Sequence, residues 1–162
     1  MSDKFRDRYR IGSKRLKGYD YSLPGKYFIT ICTGNRKKYF GDGEKLSCLG
    51  QIVRQEWLKT PDIRKDMNIT LDEFVIMPDH FHAIIIIGGD GRITMHRDST
   101  FAPQSKNLAS IVRGFKSAVT TWARKNQISF SWQPRYYDHI IRNNIQLHRI
   151  RNYIKNHQDN LR

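Results

Sequence analysis

From residue 80 the chain reads His80-Phe81-His82-Ala83-Ile84-Ile85-Ile86-Ile87-Gly88, a short aliphatic and aromatic run preceded by Met77-Pro78-Asp79. β-Branched and aromatic residues over so short a span predict a strand. Side chains alternate across a strand, so His80, His82, Ile84 and Ile86 share one face while Phe81, Ala83, Ile85 and Ile87 take the other. Both faces are apolar from Ile84 onward, which predicts a central strand covered on both sides. The two histidines stand at its entry end.

The same patterning places the other elements. Tyr27-Phe28-Ile29-Thr30-Ile31-Cys32-Thr33 reads as a strand ended by a Gly34-Asn35 turn. Leu49, Ile52, Val53 and Trp57 follow helical spacing, with Pro61 expected to close that helix. Ile69 to Met77 reads as a strand that Pro78-Asp79 turns into the His80 strand as an antiparallel pair. Gly88-Gly89-Asp90-Gly91 and the polar stretch through Ser105 read as a mobile surface loop. A helix follows from about Asn107 to Lys125, with Leu108, Ile111, Val112, Phe115, Val119 and Trp122 as its apolar stripe. Phe130 to Ile141 reads as one aromatic-rich strand. A last helix from Asn144 carries Leu147, Ile150 and Ile154 inward, with Gln146, Arg149, Tyr153 and His157 on an adjacent face. This order predicts a single α+β domain, with one mainly antiparallel central sheet and helices packed on it. Residues 1–26, polar and broken by glycine and proline, form a basic N-terminal arm, and 27–162 the domain proper.

Charge changes the picture more than composition does. Lysine and arginine number 29 against 15 acidic residues, a formal net charge of +14. A surplus of that size most often answers to a polyanion, and nucleic acid is the favoured partner. In the arm, Arg6, Arg8, Arg10, Lys14, Arg15 and Lys17 alternate with Tyr9, Tyr19 and Tyr21, offering charge for phosphates and rings for bases. Arg113, Lys116 and Arg124 line the polar side of the Asn107 helix as a second candidate ridge. Solubility alone and a solvated tail are the plainer explanations of the same residues. Cys32 and Cys48 are too few and too far apart for a disulfide framework or a zinc knuckle. No run reaches transmembrane length, no secretory leader is recognisable, and a cytoplasmic protein without membrane association is expected.

Candidate chemistry lies at two separated places. His80 and His82 can converge on one metal ion if a third ligand approaches, although histidine also satisfies itself on backbone groups. Tyr153 and His157 lie one helical turn apart; a tyrosine can act as a covalent nucleophile toward phosphorus, and His157 can complete a site begun by the other two.

Taken together these residues resemble the HUH single-tyrosine transposases, especially the REP-associated tyrosine transposases and small insertion-sequence relatives. His80-Phe81-His82 within Met77-Pro78-Asp79-His80 matches the histidine-hydrophobe-histidine motif, and Tyr153-Ile154-Lys155-Asn156-His157 matches the nucleophile helix. Tyr19-Asp20-Tyr21-Ser22, Gly25-Lys26-Tyr27-Phe28, Phe115-Lys116-Ser117 and the stretch from Trp132-Gln133 to Arg142 extend the likeness over nearly the whole chain. Two departures stand out: His157 occupies a position often held by glutamine or asparagine, and no Asn-Pro follows the tyrosine. The resemblance implies a ferredoxin-like HUH endonuclease fold, with Tyr153 as nucleophile and His80, His82 and His157 as ligands of a divalent ion, Mg2+ or Mn2+. It implies single-stranded or hairpin DNA as partner, a 5′-phosphotyrosine intermediate, and a homodimer as one arrangement. Two other readings use the same residues. One is a DNA- or RNA-hairpin-binding protein derived from such a transposase that does not cut. The other is a replication-initiator or relaxase relative, disfavoured by the short chain and the lack of a second catalytic tyrosine.

Overall fold

A computed structural model describes residues 23–89, 106–157 and 159, together with the backbone of residues 4–5 and 8–9. In chain order the elements are β1 (Lys4–Phe5), β2 (Arg8–Tyr9), β3 (Gly25–Cys32), α1 (Cys48–Ile63), β4 (Ile69–Ile76), β5 (His80–Ile87), α2 (Leu108–Lys125), β6 (Tyr137–Ile141) and α3 (Asn144–His157). β1 and β2 pair antiparallel within the basic arm. Arg6, Arg10, Lys14 and Arg15 fall outside the described residues, as does the expected loop from Asp90 to Ser105.

β3 to β6 form an antiparallel sheet in the order β4-β5-β3-β6, so the two central strands are β5 and β3. The alternation along β5 sorts its side chains as the sequence predicts. Phe81, Ala83, Ile85 and Ile87 join Tyr27, Ile29 and Ile31 of β3 in a core shared with α1 and α2. Ile84 joins Phe28, Val75, Leu147 and Ile154 in a smaller core under α3. The result is three layers, with α1 and α2 on one side of the sheet and α3 on the other. The chain is therefore an α+β domain.

Local chemistry explains the helix boundaries. Ser47 caps α1, its hydroxyl accepting from the Gly50 amide at 3.0 Å. Pro61 lies inside the last turn instead of closing the helix, which runs on to Ile63; in the final turn only one backbone bond is lost to the missing N–H. Asn107 and Ser110 form a reciprocal capping box at the start of α2. Along α2, Ala123 is buried with the predicted stripe, while Trp122 is half-buried at its margin.

The expected strand from Phe130 to Ile141 is divided. Only Tyr137–Ile141 pairs continuously with β3, while Trp132 makes an isolated bridge to Thr33. Between them Pro134 has no N–H to give a ladder, and Arg135 adopts the left-handed region at φ 69°. Gly34 donates to the Ser131 carbonyl at 2.7 Å. A Cβ on Gly34 would fall 2.1 Å from Ser131 Oγ, so this close approach requires glycine.

Candidate active site

Register carries the site. His82 pairs with Thr30 of β3 on one side and with Val75 of β4 on the other, and His80 pairs with Cys32. Thr30 in turn pairs with Tyr137 of β6. Directly paired residues share a face, so His80, His82, Thr30 and Tyr137 all face the α3 layer. α3 lies across this face on Leu147, Ile150 and Ile154, which brings His157 and Tyr153 down beside the two strand histidines.

The imidazoles of His80, His82 and His157 each present a ring nitrogen, and these three atoms lie within 4.8 Å of one another. His80 Nε2 and His157 Nε2 are 3.0 Å apart. The Tyr153 ring centroid lies 4.9 Å from that of His157 and 5.4 Å from that of His82. Tyr153 is 48% exposed, so the phenol is presented at the surface of the cluster. Phe28, buried beneath, meets the rings of Tyr153 and Tyr137 edge-on and stacks against His82 at 5.4 Å.

A surrounding shell orients the histidines. Asp79 Oδ1 lies 2.6 Å from His80 Nδ1, and Thr30 Oγ1 lies 2.8 Å from His82 Nδ1. In the tautomer with the proton on Nδ1, each ring donates to its oxygen partner and leaves Nε2 unprotonated, the arrangement metal-bound histidines adopt. Arg36 binds the other Asp79 oxygen at 3.0 Å and the Cys32 sulfur at 3.0 Å. The sequence reading gave Asp79, Thr30 and Arg36 no role at the site, taking Pro78-Asp79 as a turn and as the context of the histidine motif. Their partners are 43 and 52 residues apart in the chain or adjacent in it, and only the Asp79-His80 adjacency was visible beforehand.

Electrostatics keep the trio neutral. Burial, then the charges that His80, His157 and Arg36 would present, push the His82 pKa down to about 3. Burial also lowers that of His80, against the opposing pull of Asp79, and lowers that of His157. Burial pulls the Asp79 carboxyl upward, but the His80 hydrogen bond and the Arg36 charge outweigh it and hold it below the ordinary carboxylate value. Neutral imidazole with a free nitrogen is the form that binds a cation. Metal–nitrogen bonds of about 2.1 Å would require the trio to draw together, and three imidazole nitrogens converging in this way form a donor set for one divalent ion.

No known family model matches the chain. An uncharacterized protein of Haemophilus influenzae is 43% identical over 156 residues, which cover 89% of this chain and 86% of that protein. The chain belongs to one family with it. A solved structure of a REP-associated tyrosine transposase bound to a REP hairpin matches with a TM-score of 0.59 at 19% identity, over 88% of this chain and 72% of the other. The chain shares the fold of that transposase. In this fold Tyr153, His80, His82 and His157 come together because α3 packs on the sheet.

Among the described residues, the predicted basic residues Arg113, Lys116 and Arg124 do not join them. α2 covers the opposite side of the sheet, where Arg113 and Arg124 are exposed. Lys116 departs from a free surface cation: it is half-buried, and its Nζ donates to the carbonyls of Gln133 at 2.9 Å and Arg135 at 3.1 Å. Burial lowers its pKa, with a partial opposing effect from Cys32. It ties α2 to the segment that precedes β6. No described helix is long and apolar enough to cross a membrane.

Proposed function

We propose that this chain is a metal-dependent nuclease and strand transferase that cuts single-stranded or hairpin DNA through a 5′-phosphotyrosine intermediate. The observation that carries the reading is the exposed phenol of Tyr153 standing beside three converging, neutral imidazoles. The Tyr153 oxygen attacks phosphorus as the P–O3′ bond breaks, its proton passing to solvent. A 3′-hydroxyl leaves, protonated, and the phosphodiester energy is kept in the tyrosine ester. That 3′-hydroxyl can attack the ester in reverse, so neither ATP nor another energy source is needed. His80, His82 and His157 would hold a divalent ion, which would polarise the phosphate oxygens.

The protein residues do the rest. Asp79 and Thr30 fix the strand histidines from behind, and Arg36 adds a cation beside them. Phe28 supports the Tyr153 ring from below. Arg113 and Arg124, with Arg6, Arg10, Lys14 and Arg15 of the arm, are assigned to phosphate contacts, while the carbonyl bonds of Lys116 favour a supporting role for it. A hairpin substrate draws support from the transposase whose fold this chain has, since that protein is bound to a REP hairpin. Incubating the chain with 5′- and 3′-labelled single-stranded hairpins and Mn2+, then separating products under denaturing conditions, tests the reading. A protein-linked 5′-phosphate fragment and a free 3′-hydroxyl fragment are expected. Retention of the hairpin without an adduct would leave the non-cleaving binding protein in its place.

A further inference from the structure

The edge strand β4 has an irregularity facing the nucleophile helix. Leu71 pairs with Ile85 and Phe74 pairs with Ala83, so three steps on β4 oppose two on β5. This is the two-against-one count of a β-bulge, with Asp72 and Glu73 together opposite Ile84. Leu71 and Phe74 both pack into the α1/α2 core. The two residues between them are thereby free to serve the other face. Both are acidic, and both reach α3. Asp72 takes the Arg151 guanidinium through two carboxylate oxygens, Nε lying 2.9 Å from Oδ1. Glu73 pairs with Lys155 at 3.2 Å.

Arg151 and Lys155 are one turn apart on α3. Successive helix residues turn by about 100°, which puts Arg151 and Lys155 on one flank of the Leu147-Ile150-Ile154 seam and Tyr153 and His157 on the other. Rotation of α3 about its axis would carry the phenol and the third imidazole away from His80 and His82. An ion pair on the far flank opposes that rotation. A regular strand would offer one carboxylate here; the bulge offers two at the pitch of the helix.

We propose that the Asp72-Glu73 bulge is a clamp that sets the rotation of α3, making Asp72 and Glu73, through Arg151 and Lys155, positioning residues for the nucleophile and for the His157 ligand. The inference rests on the cleavage reading for Tyr153, and on the three-histidine cluster for His157. The test uses the full chain with Asp72→Asn and Glu73→Gln combined. Expected outcomes are a single-turnover adduct rate reduced about tenfold or more, as small misplacements of reacting groups produce, and hairpin affinity changed by less than about twofold, since no DNA-contacting cation is lost. Titration with Co2+, followed by its visible absorption, should show several-fold weaker binding. The reversed pair, Asp72→Arg with Arg151→Asp, should recover much of both losses, which a change in general stability would not do. Unchanged adduct rate and unchanged cobalt binding in the double variant would overturn the clamp. If the parent chain forms no adduct, the cleavage reading fails, and the cobalt titration alone then decides the clamp. Should the double variant not fold, Lys155→Gln, which removes one exposed partner, replaces it under the same criteria.

Discussion

The two faces of β5 differ although they alternate residue by residue along one strand. Toward α1 and α2 it presents Phe81, Ala83, Ile85 and Ile87, all buried in a large aromatic core where Trp57, Phe81 and Phe115 meet edge-on or tilted. Toward α3 it presents His80 and His82 before Ile84, over a core a fraction of that size. The difference teaches that stability and chemistry are divided by layer. The dry face holds the sheet, which leaves the other free to bury polar imidazoles hydrogen-bonded to Asp79, Thr30 and each other.

The contrast breaks most completely at Tyr153. Tyr153→Phe removes one oxygen from a half-exposed ring, so the DNA adduct should vanish while thermal stability and hairpin affinity stay near those of the parent. An adduct of undiminished yield would move the assignment to Tyr137, the other exposed tyrosine facing Phe28. On the dry face the expected pattern is opposite. Phe81→Ala should cost about 3–5 kcal/mol of unfolding free energy, read by denaturant titration, since its ring is fully buried between Trp57 and Phe115.

Acid should find the polar face first. The His82 pKa is near 3 in the fold against about 6.5 in the unfolded chain, so the unfolded state binds the extra proton. Stability is complete above pH 6.5 and falls as pH drops toward the folded value, at about 1.4 kcal/mol per unit. Between pH 6.5 and 5 a metal-free sample should lose about 2 kcal/mol from this group, with His80 and His157 shifting the same way. His82→Leu should flatten that slope in denaturant titrations at the two pH values; a slope left intact would assign the loss elsewhere.

Metal preference sharpens the comparison further. Three imidazole nitrogens favour Mn2+ over Mg2+, which prefers oxygen ligands. Cleavage by the parent should therefore run faster with Mn2+ at equal concentration, and His157→Gln should shift the balance toward Mg2+. Equal Mg2+ rates in both proteins would remove His157 from the ligand set. The smallest effects belong to the dry side's outer surface. Arg113→Ala or Arg124→Ala should weaken hairpin binding uniformly across sequences and reduce the salt dependence by about one contact each. No change at either position would confine the DNA to the α3 face.

Much of this molecule follows from sequence alone because its signals are local. The alternation in residues 80–87 assigns both faces of the central strand, and the helical stripes of α2 and α3 name their buried sides. Tyr153 and His157 fall on one flank by helical geometry alone. Three things did not follow. Phe130–Ile141 carries strand-forming side chains throughout, yet Pro134 and the left-handed Arg135 divide it, a backbone matter that side-chain pattern does not report. Asp72 and Glu73 read as two residues of an ordinary strand, because a bulge exists only relative to the strand it pairs with. The link from Thr30 to His82 and from Arg36 to Asp79 joins segments far apart in the chain. Periodicity decides which way a side chain points; only register and packing decide what it meets there.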